Sequence, residues 1–158
     1  MELKRVVVTG LGALTPIGNT KDEFWDALIS GKSGAGPITY FDTEKFKTKF
    51  ACELKNFVAT DFLDRKEARK MDRFTQYAMV ASDEAIVDAK LDLDKVNKLR
   101  VGVIWGAGIG GLETFQNEVL NFAEGDGTPR FNPFFIPKMI ADIAHGNISI
   151  KHGFMGPN

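Results

Sequence analysis

A cluster of glycines in the middle of the chain has the spacing of a ligand-binding motif. Gly106, Gly108 and Gly111 form a G-x-G-x-x-G pattern, which in dinucleotide-binding proteins holds a pyrophosphate at a helix N-terminus. That pattern is normally followed, about twenty residues later, by an acidic residue at the end of a second strand. Asp126 lies at that distance, but it belongs to a Gly-Asp-Gly-Thr-Pro loop. We therefore favour a tight, closely packed turn over a nucleotide site, and such a turn leaves Ile109 free to face a ligand.

The thiol and imidazole groups of the sequence do not form a recognisable catalytic or metal-binding set. Cys52 is the only cysteine, so the sequence has no internal disulfide and no cysteine-based metal cluster. It has no neighbouring histidine or glycine-rich elbow, which favours a small, half-buried apolar residue over a nucleophile. His145 and His152 have no acid or cysteine converging on them in the sequence, and we predict a structural, hydrogen-bonded role for each.

Basic residues crowd the start of the longest helical pattern in the chain. Asp64 and Glu67 form a capping box that opens this pattern, which predicts one helix over residues 65–90. Positive charge near a helix N-terminus opposes the macrodipole, so either neighbouring acids such as Asp72 neutralise a solvated face or an anionic partner docks there. The cations at i, i+3, i+4 and i+7 are predicted to share one helix face: Lys66, Arg69, Lys70 and Arg73.

Two apolar runs predict the strands that would position these groups. Residues 5–9 form the first. Residues 101–105, uncharged and with β-branched Val101, Val103 and Ile104, predict a central strand covered on both faces. Further helices are predicted from the Thr20–Glu23 capping box to Gly31 and over residues 111–122, and residues 138–150 are predicted to form a helix and a short extension. Two strands make a marginal sheet, and the chain ends on a turn signal, Gly-Pro-Asn. We therefore expect the N-terminal portion of a larger α/β protein, with the rest of the sheet supplied from elsewhere.

Composition indicates a globular protein without an obvious polyanionic partner. The 158 residues are 44% hydrophobic and 26% charged, and the net charge of −1 gives no global reason to expect nucleic acid or an anionic membrane. No apolar run approaches the roughly 18 residues of a membrane span, and the N-terminus does not resemble a signal peptide. These features predict a cytoplasmic location.

The ordered motifs resemble the amino-terminal part of the β-ketoacyl-acyl carrier protein synthase II family, the elongating condensing enzymes of bacterial fatty acid synthesis. The resemblance implies an α/β, thiolase-like fold, layered αβαβα in the complete protein. Residues 1–158 would supply part of its N-terminal half and no complete second domain. The motifs that carry the resemblance span the whole chain: Val6-Val7-Val8-Thr9-Gly10-Leu11-Gly12, Thr15-Pro16-Ile17-Gly18-Asn19, Arg65-Lys66-Glu67, Arg69-Lys70-Met71-Asp72, the glycines from Gly106 to Gly111, Asn132-Pro133-Phe134-Phe135, Gly153 and Gly156-Pro157.

The reaction that the resemblance implies is a decarboxylative Claisen condensation of an acyl-enzyme with malonyl-acyl carrier protein. A cysteine thiolate takes the acyl chain, backbone donors hold the oxyanion, and histidines assist decarboxylation. None of the family's three catalytic positions exists in this chain, and Cys52 does not match the nucleophile. No catalytic residue is therefore assigned here, and the 158 residues alone are predicted to be inactive. The resemblance implies no metal, nucleotide or redox cofactor.

The resemblance also implies binding residues. Ile109 and Phe134 match positions that line the acyl channel, the latter reaching in from a homodimer partner. The implied partners are the acyl- and malonyl-loaded acyl carrier protein, a second copy of the protein and the remainder of its own fold, with no nucleic acid and no membrane. A noncatalytic, chain-length-factor-like subunit of the same fold stays open as an alternative, followed by a nucleotide-binding oxidoreductase domain. The basic patch that docks the carrier protein is matched by Lys66, Arg69 and Lys70, and Arg130 would contribute to it.

Overall fold

The computed structural model describes residues 3–158, which form two compact units. One comprises the described residues up to Val58 together with Asp83–Lys90, and the other comprises Ala59–Ser82 and Leu91–Asn158. Short 3₁₀ turns span Ala59–Asp61 and Lys98–Arg100. Strands β1 (Gly36–Pro37) and β2 (Phe50–Ala51) pair antiparallel, with Gly36 opposite Ala51. The α-helices are α1 (Lys21–Ile29), α2 (Arg65–Arg69), α3 (Arg73–Asp88), α4 (Leu112–Ala123), α5 (Phe135–Met139) and α6 (Ile143–His152).

Helix α1 begins and ends where the local sequence predicts. The Thr20 side chain accepts a hydrogen bond from the Glu23 amide at 3.2 Å, while the Glu23 carboxylate accepts one from the Asn19 amide at 2.7 Å. At the other end the Lys32 amide donates to the Ala27 carbonyl at 2.9 Å, and Gly31 adopts a φ of +69°. This pattern is a Schellman motif, in which a left-handed residue costs least when it is glycine.

The prediction of one helix over residues 65–90 is wrong, because the chain bends between α2 and α3. Asp64 caps α2 as predicted, accepting from the Lys66 amide at 2.8 Å. A second helix starts after Asp72, whose carbonyl accepts from the Thr75 and Gln76 amides, both at 3.1 Å. Apolar periodicity continues across the bend because Met71, 8% exposed, is part of the core. That continuity made two helices resemble one.

The bend also corrects the predicted charge pattern. Lys66 and Arg69 belong to α2, Lys70 is its C-cap residue, and Arg73 is the first residue of α3. The four cations therefore do not share one helix face. Arg69 and Lys70 lie at a helix C-terminus, where positive charge is favourable, so the predicted conflict with the macrodipole does not apply to them.

Neither predicted strand forms among the described residues. Residues 5–9 have no regular structure, and Val6 and Val8 are 90% and 80% exposed. In the segment 101–105 burial alternates along the chain, and Ile104 is 97% exposed, so the expected cover on both faces is absent within residues 3–158. A strand needs a hydrogen-bonded neighbour, and the apolar pattern of one segment does not supply it.

The segment 101–103 does have one backbone neighbour, the segment 156–157. The Val103 amide donates to the Pro157 carbonyl at 3.0 Å, and the Gly156 amide donates to the Val101 carbonyl at 2.9 Å. The two backbones are so close that a Cβ on Gly102 would lie 2.4 Å from the Pro157 oxygen. Glycine is therefore required where these segments meet.

Helix α4 confirms the helix predicted over residues 111–122, whereas the prediction of one helix with a short extension over residues 138–150 is wrong. Two helices, α5 and α6, occupy this region. Ile140 is extended, with φ −65° and ψ 133°, and the Met139 carbonyl accepts from the Gly111 amide at 2.9 Å. The chain turns here because that carbonyl bonds to the glycine turn.

In the first unit, carboxylates on α3 hold the segment that precedes α1. Glu84 accepts from the Ala13 amide at 2.7 Å and from the Lys21 amide at 2.8 Å. Asp88 accepts from the Leu11 amide at 2.9 Å and pairs with the Lys21 ammonium group at 2.7 Å. The Lys21 hydrogen bond lowers the pKa of Asp88, and the same bond raises the pKa of Lys21. These bonds replace a strand ladder as the support of residues 11–13.

The buried core of the second unit combines small and long side chains. Ala78 and Ala144 are fully buried, which allows close backbone approach. No helix within residues 3–158 is both long enough and apolar enough to cross a membrane. The buried hydrophobic residues of this unit are Leu63, Ala68, Met71, Ala78, Met79, Val80, Ala144, Ile148 and Phe154.

Candidate functional site

The glycine turn before α4 packs against the end of α5. Gly110 has a φ of +90°, and a Cβ there would lie 2.5 Å from the Met139 oxygen. Gly111 is buried, and a Cβ on it would lie 2.5 Å from the Lys138 oxygen. The Gly111 amide already donates to Met139, so it is not free to bind a phosphate. The close-packing interpretation of these two glycines is confirmed.

Helix α5 connects the two residues assigned to the acyl channel. Ile109 precedes the glycines that pack on the C-terminal end of α5 and is 69% exposed. Phe134 is the N-cap residue of α5 and is 41% exposed, and its amide donates to the Asn132 side chain at 2.8 Å. The structure therefore places both apolar side chains at the surface, at opposite ends of one short helix.

Aromatic rings join α5 to α4 and to the loop before it. The ring centroids of Phe115 and Phe135 are 6.2 Å apart, those of Phe131 and Phe135 5.9 Å, and those of Phe122 and Phe131 5.5 Å. The Asn132 amide also donates to the Glu118 carboxylate at 3.0 Å. These contacts give the loop that carries Phe134 a defined conformation.

Arg130 lies in the same loop, beside a cavity of about 380 Å³ that is also lined by Glu118, Phe122 and Asp126. Its guanidinium group is 3.5 Å from the Asp126 carboxylate. A hydrogen bond from the Thr128 amide lowers the pKa of Asp126 and favours its charged form. Arg130 is thus partly neutralised in this conformation.

The cations around α2 differ in their partners. The Lys70 ammonium group pairs with Glu67 at 2.6 Å, and the Arg73 guanidinium group lies 3.3 Å from Glu113. Lys66 and Arg69 are exposed, and neither forms an ion pair within residues 3–158. These two side chains are therefore the best placed of the predicted patch to meet an anionic partner.

The sequence suggests Asp72 as one of the acids that neutralise the cations, but the structure gives it another role. Asp72 is buried, 8% exposed, and accepts hydrogen bonds from the Thr114 hydroxyl and from the Thr114 amide, the latter at 3.3 Å. This contact joins the bend after α2 to the start of α4. No local pattern relates residues 42 positions apart, so the sequence alone could not have revealed it.

The remaining reactive side chains do not gather at this site. Cys52 is exposed, so the expectation that it is half-buried is wrong. The His152 ring stacks on Phe154 with centroids 5.4 Å apart, a structural contact near the end of α6.

Comparison with known proteins gives consistent similarities. The family model described as "Beta-ketoacyl synthase, N-terminal domain" matches residues 3–158. The chain is 49% identical over 158 residues to 3-oxoacyl-[acyl-carrier-protein] synthase 2 of Synechocystis sp., a match that covers 100% of this chain. It is also 49% identical over 155 residues to the protein of that name from Staphylococcus aureus (strain COL), covering 98% of this chain. The chain spans 38% and 37% of the lengths of these two curated relatives.

Solved structures with a similar backbone are described as ketosynthases. The ishigamide ketosynthase/chain length factor has a TM-score of 0.85 and 27% sequence identity, covering 96% of this chain and 38% of that one. The structure of a type II PKS acyl-carrier protein in complex with its ketosynthase has a TM-score of 0.78 and 27% sequence identity, and the match covers 96% of this chain and 40% of that one. A beta-ketoacyl synthase from Burkholderia phymatum has a TM-score of 0.78 and 28% sequence identity, and the match covers 98% of this chain and 38% of that one.

Proposed function

This chain belongs to the beta-ketoacyl synthase family, and we propose that the full-length protein which carries it is a 3-oxoacyl-acyl carrier protein synthase of type II fatty acid biosynthesis. The observation that supports this most is the 49% identity to 3-oxoacyl-acyl carrier protein synthase 2 along all 158 residues. The fold agrees with it, since the chain follows the thiolase-like ketosynthases over nearly its whole length.

The proposed reaction joins an acyl chain to a malonyl unit with loss of CO₂. A cysteine thiolate attacks the thioester of the acyl-carrier protein and releases the carrier thiol. Malonyl-carrier protein then loses CO₂, and the resulting carbanion attacks the enzyme-bound thioester. The products are 3-oxoacyl-carrier protein and the free cysteine. The family's cysteine and histidines match no position of this sequence.

We assign the residues of this chain to binding rather than to bond making. Lys66 and Arg69, exposed and without ion-pair partners among residues 3–158, would meet the acidic carrier protein. Ile109 and Phe134 would line the acyl channel, Phe134 acting across a homodimer interface. Lys70 and Arg130 would join the docking patch after exchanging Glu67 and Asp126 for acids of the carrier.

The test is product formation by the purified full-length protein from an acyl-carrier protein and malonyl-carrier protein. We expect CO₂ release together with a 3-oxoacyl-carrier protein two carbons longer than the primer, identified by mass spectrometry. Absence of both with active carrier proteins would reject the proposal. Sedimentation analysis tests the proposed homodimer, and cell fractionation tests the proposed cytoplasmic location.

A noncatalytic, chain-length-factor-like subunit is a second candidate, because the ishigamide ketosynthase/chain length factor has a similar backbone over the length of this chain, with a TM-score of 0.85. Such a subunit would give no product alone, but would change product length when mixed with a catalytic ketosynthase. The chain is 49% identical to 3-oxoacyl-[acyl-carrier-protein] synthase 2 of Synechocystis and 27% identical to the ishigamide ketosynthase/chain length factor, so the enzyme is the preferred proposal.

A further inference from the structure

We infer that Asp72 is a positioning residue for the proposed acyl pocket: its carboxylate fixes the glycine turn that carries Ile109 to the bend between α2 and α3. This inference rests on the proposed function, because Ile109 selects acyl length only in a condensing enzyme. It makes the acyl-length profile depend on a residue that has no place in the pocket wall.

The first observation concerns the start of α4. Thr114 is the third residue of this helix, and its amide is one of the donors that a helix leaves without an internal partner. The residue before the helix, Gly111, has no side chain to accept that bond. The Asp72 carboxylate accepts it instead, at 3.3 Å, and accepts the Thr114 hydroxyl as well. Asp72 is therefore the N-terminal cap of α4, supplied from a distant part of the sequence.

The second observation concerns the glycine turn itself. A Cβ on Gly111 would lie 3.0 Å from the Asp72 carboxylate and 2.5 Å from the Lys138 oxygen. The turn is thus enclosed by Asp72 on one side and by the end of α5 on the other. The two residues before Gly111 are Gly110, with a φ of +90°, and Ile109, which is 69% exposed. Because Gly110 and Gly111 are packed in place, the backbone from which the Ile109 side chain projects is held at its C-terminal side.

The third observation concerns the backbone around Asp72, at the bend between α2 and α3. The Asp72 carbonyl accepts hydrogen bonds from two amides in the first turn of α3, those of Thr75 and Gln76. The Gln76 side chain donates back to the carbonyls of Ala68, at 2.9 Å, and Met71, at 3.4 Å. The residue that holds the glycine turn is therefore itself held against α2. Rigid support of this kind is what a binding group needs to keep its geometry.

Loss of the carboxylate would leave the Thr114 amide and hydroxyl without their acceptor and would loosen the turn on the side that faces Asp72, while the Gly111–Met139 hydrogen bond remains. The wall formed by Ile109 would then be less defined, and discrimination between acyl lengths would weaken. We expect the preference for the best acyl length over its neighbours, expressed as a ratio of kcat/KM, to fall by about fourfold per methylene, the factor that corresponds to burial of one methylene group.

The experiment compares Asp72→Ala, Asp72→Asn and Glu84→Ala in the full-length protein. Glu84 is the matched control because its carboxylate also joins two segments, by accepting the Ala13 and Lys21 amides, but it belongs to the other unit. Three quantities are measured: the melting temperature, hydrogen exchange of peptides covering residues 106–114, and kcat/KM over a series of acyl lengths. Asparagine keeps one acceptor oxygen and should preserve most of the wild-type exchange and length profile.

Asp72→Ala is expected to speed exchange at residues 106–114 and to flatten the length profile. Glu84→Ala is expected to lower the melting temperature without changing either. Unchanged exchange in Asp72→Ala would overturn the inference, and so would faster exchange with an unchanged length profile. If the wild-type protein forms no 3-oxoacyl product, the proposed function fails by itself, and the exchange data still decide whether Asp72 positions the turn.

Discussion

Ile109 is a branched apolar side chain at the tip of a turn whose two following glycines pack against α5. We expect Ile109→Phe in the full-length protein to shorten the acyl chains that are accepted, since a larger side chain excludes the distal methylenes first. Each excluded methylene forfeits up to about 0.8 kcal/mol of burial, so kcat/KM should fall with increasing acyl length.

Steady-state kinetics with a series of acyl-carrier proteins measures this effect. Ile109→Val is the control, because a smaller side chain cannot block the channel. An equal loss at every acyl length in Ile109→Phe would show that the side chain supports the fold instead.

Thr75 carries a different kind of prediction, because its hydroxyl is buried and has no hydrogen-bond partner among residues 3–158. A buried polar group without a partner keeps its full desolvation cost. Thr75→Val has nearly the same shape without that group and should raise the free energy of unfolding by about 1 kcal/mol. Chemical denaturation of the full-length protein measures the change. A loss of stability would mean that the hydroxyl is satisfied in solution.

At the scale of elements, α2 presents the two cations that we assign to carrier docking. We expect the double variant Lys66→Glu, Arg69→Glu to lower kcat/KM for carrier-bound substrates, mainly through slower association, and to leave a carrier-free thioester unaffected. The difference in association rate between the wild-type protein and the double variant should shrink as the salt concentration rises past about 0.15 M, where the Debye length is about 8 Å. Stopped-flow association at several salt concentrations measures both effects.

The matched control makes the same charge change elsewhere. Lys45 and Lys47 are exposed residues of the other unit, so the variant Lys45→Glu, Lys47→Glu has an equal net charge. Equal losses in the two double variants, or equal losses with carrier-bound and carrier-free substrates, would contradict the assignment of the patch to α2.

The tether between α3 and the segment before α1 should depend on pH in both directions. The pKa of Asp88 is lowered, so the stability that its charged form contributes is fully present above the ordinary pKa of an aspartate. That stability is lost as the pH falls through the lowered pKa. The pKa of Lys21 is raised, so the stability that its charged form contributes is lost as the pH rises through the raised pKa. We expect the Leu11 amide to be best protected between these limits.

Hydrogen exchange of a peptide that covers residues 10–14, corrected for intrinsic rates, measures this protection. Asp88→Asn should remove the acid-dependent loss. Asp92→Asn should leave the peptide unchanged, because Asp92 pairs with Lys95 instead, at 2.8 Å. Protection that is independent of pH in the wild-type protein would contradict a role for the ion pair.

These elements also show what sequence could and could not predict. The caps at Thr20, Gly31 and Asp64 were predicted because each depends on residues within a few positions of it. The bend after Arg69 was missed because apolar periodicity continues across it through Met71. The bend after Met139 was missed because the Met139 carbonyl bonds to a distant segment, the glycine turn. The glycine packing was predicted from composition, but its neighbours were not. Phe134 and Arg130 came from family resemblance alone, whereas Ile109 and the cations around α2 were also singled out by the local sequence. The roles of all of them stay predictions.

At the scale of the whole molecule, large apolar side chains lie at the surface of both units. Val6 and Val8 are 90% and 80% exposed in the first unit, and Ile104 and Ile150 are 97% and 79% exposed in the second. Single exposed apolar residues are ordinary, but runs of them with unpaired backbone mark surfaces that another element covers. The chain spans 38% of the length of its Synechocystis relative, so we propose that further elements of the same fold cover these residues.

The 158-residue chain produced by itself should therefore bind a hydrophobic dye and self-associate, whereas the full-length protein should do neither. The reason is that the two residue pairs of β1 and β2 are the only strand ladder within residues 3–158, too little to bury the apolar faces of six helices. Dye fluorescence and size-exclusion chromatography of both proteins at equal molar concentration measure the difference. The double variant Val6→Asp, Val8→Asp should reduce dye binding by the short chain and destabilise the full-length protein, because we propose that these side chains are exposed in the short chain and buried in the full-length protein. A monomeric short chain that binds no dye and melts in one sharp cooperative transition would contradict the proposal that other elements of the fold complete its core.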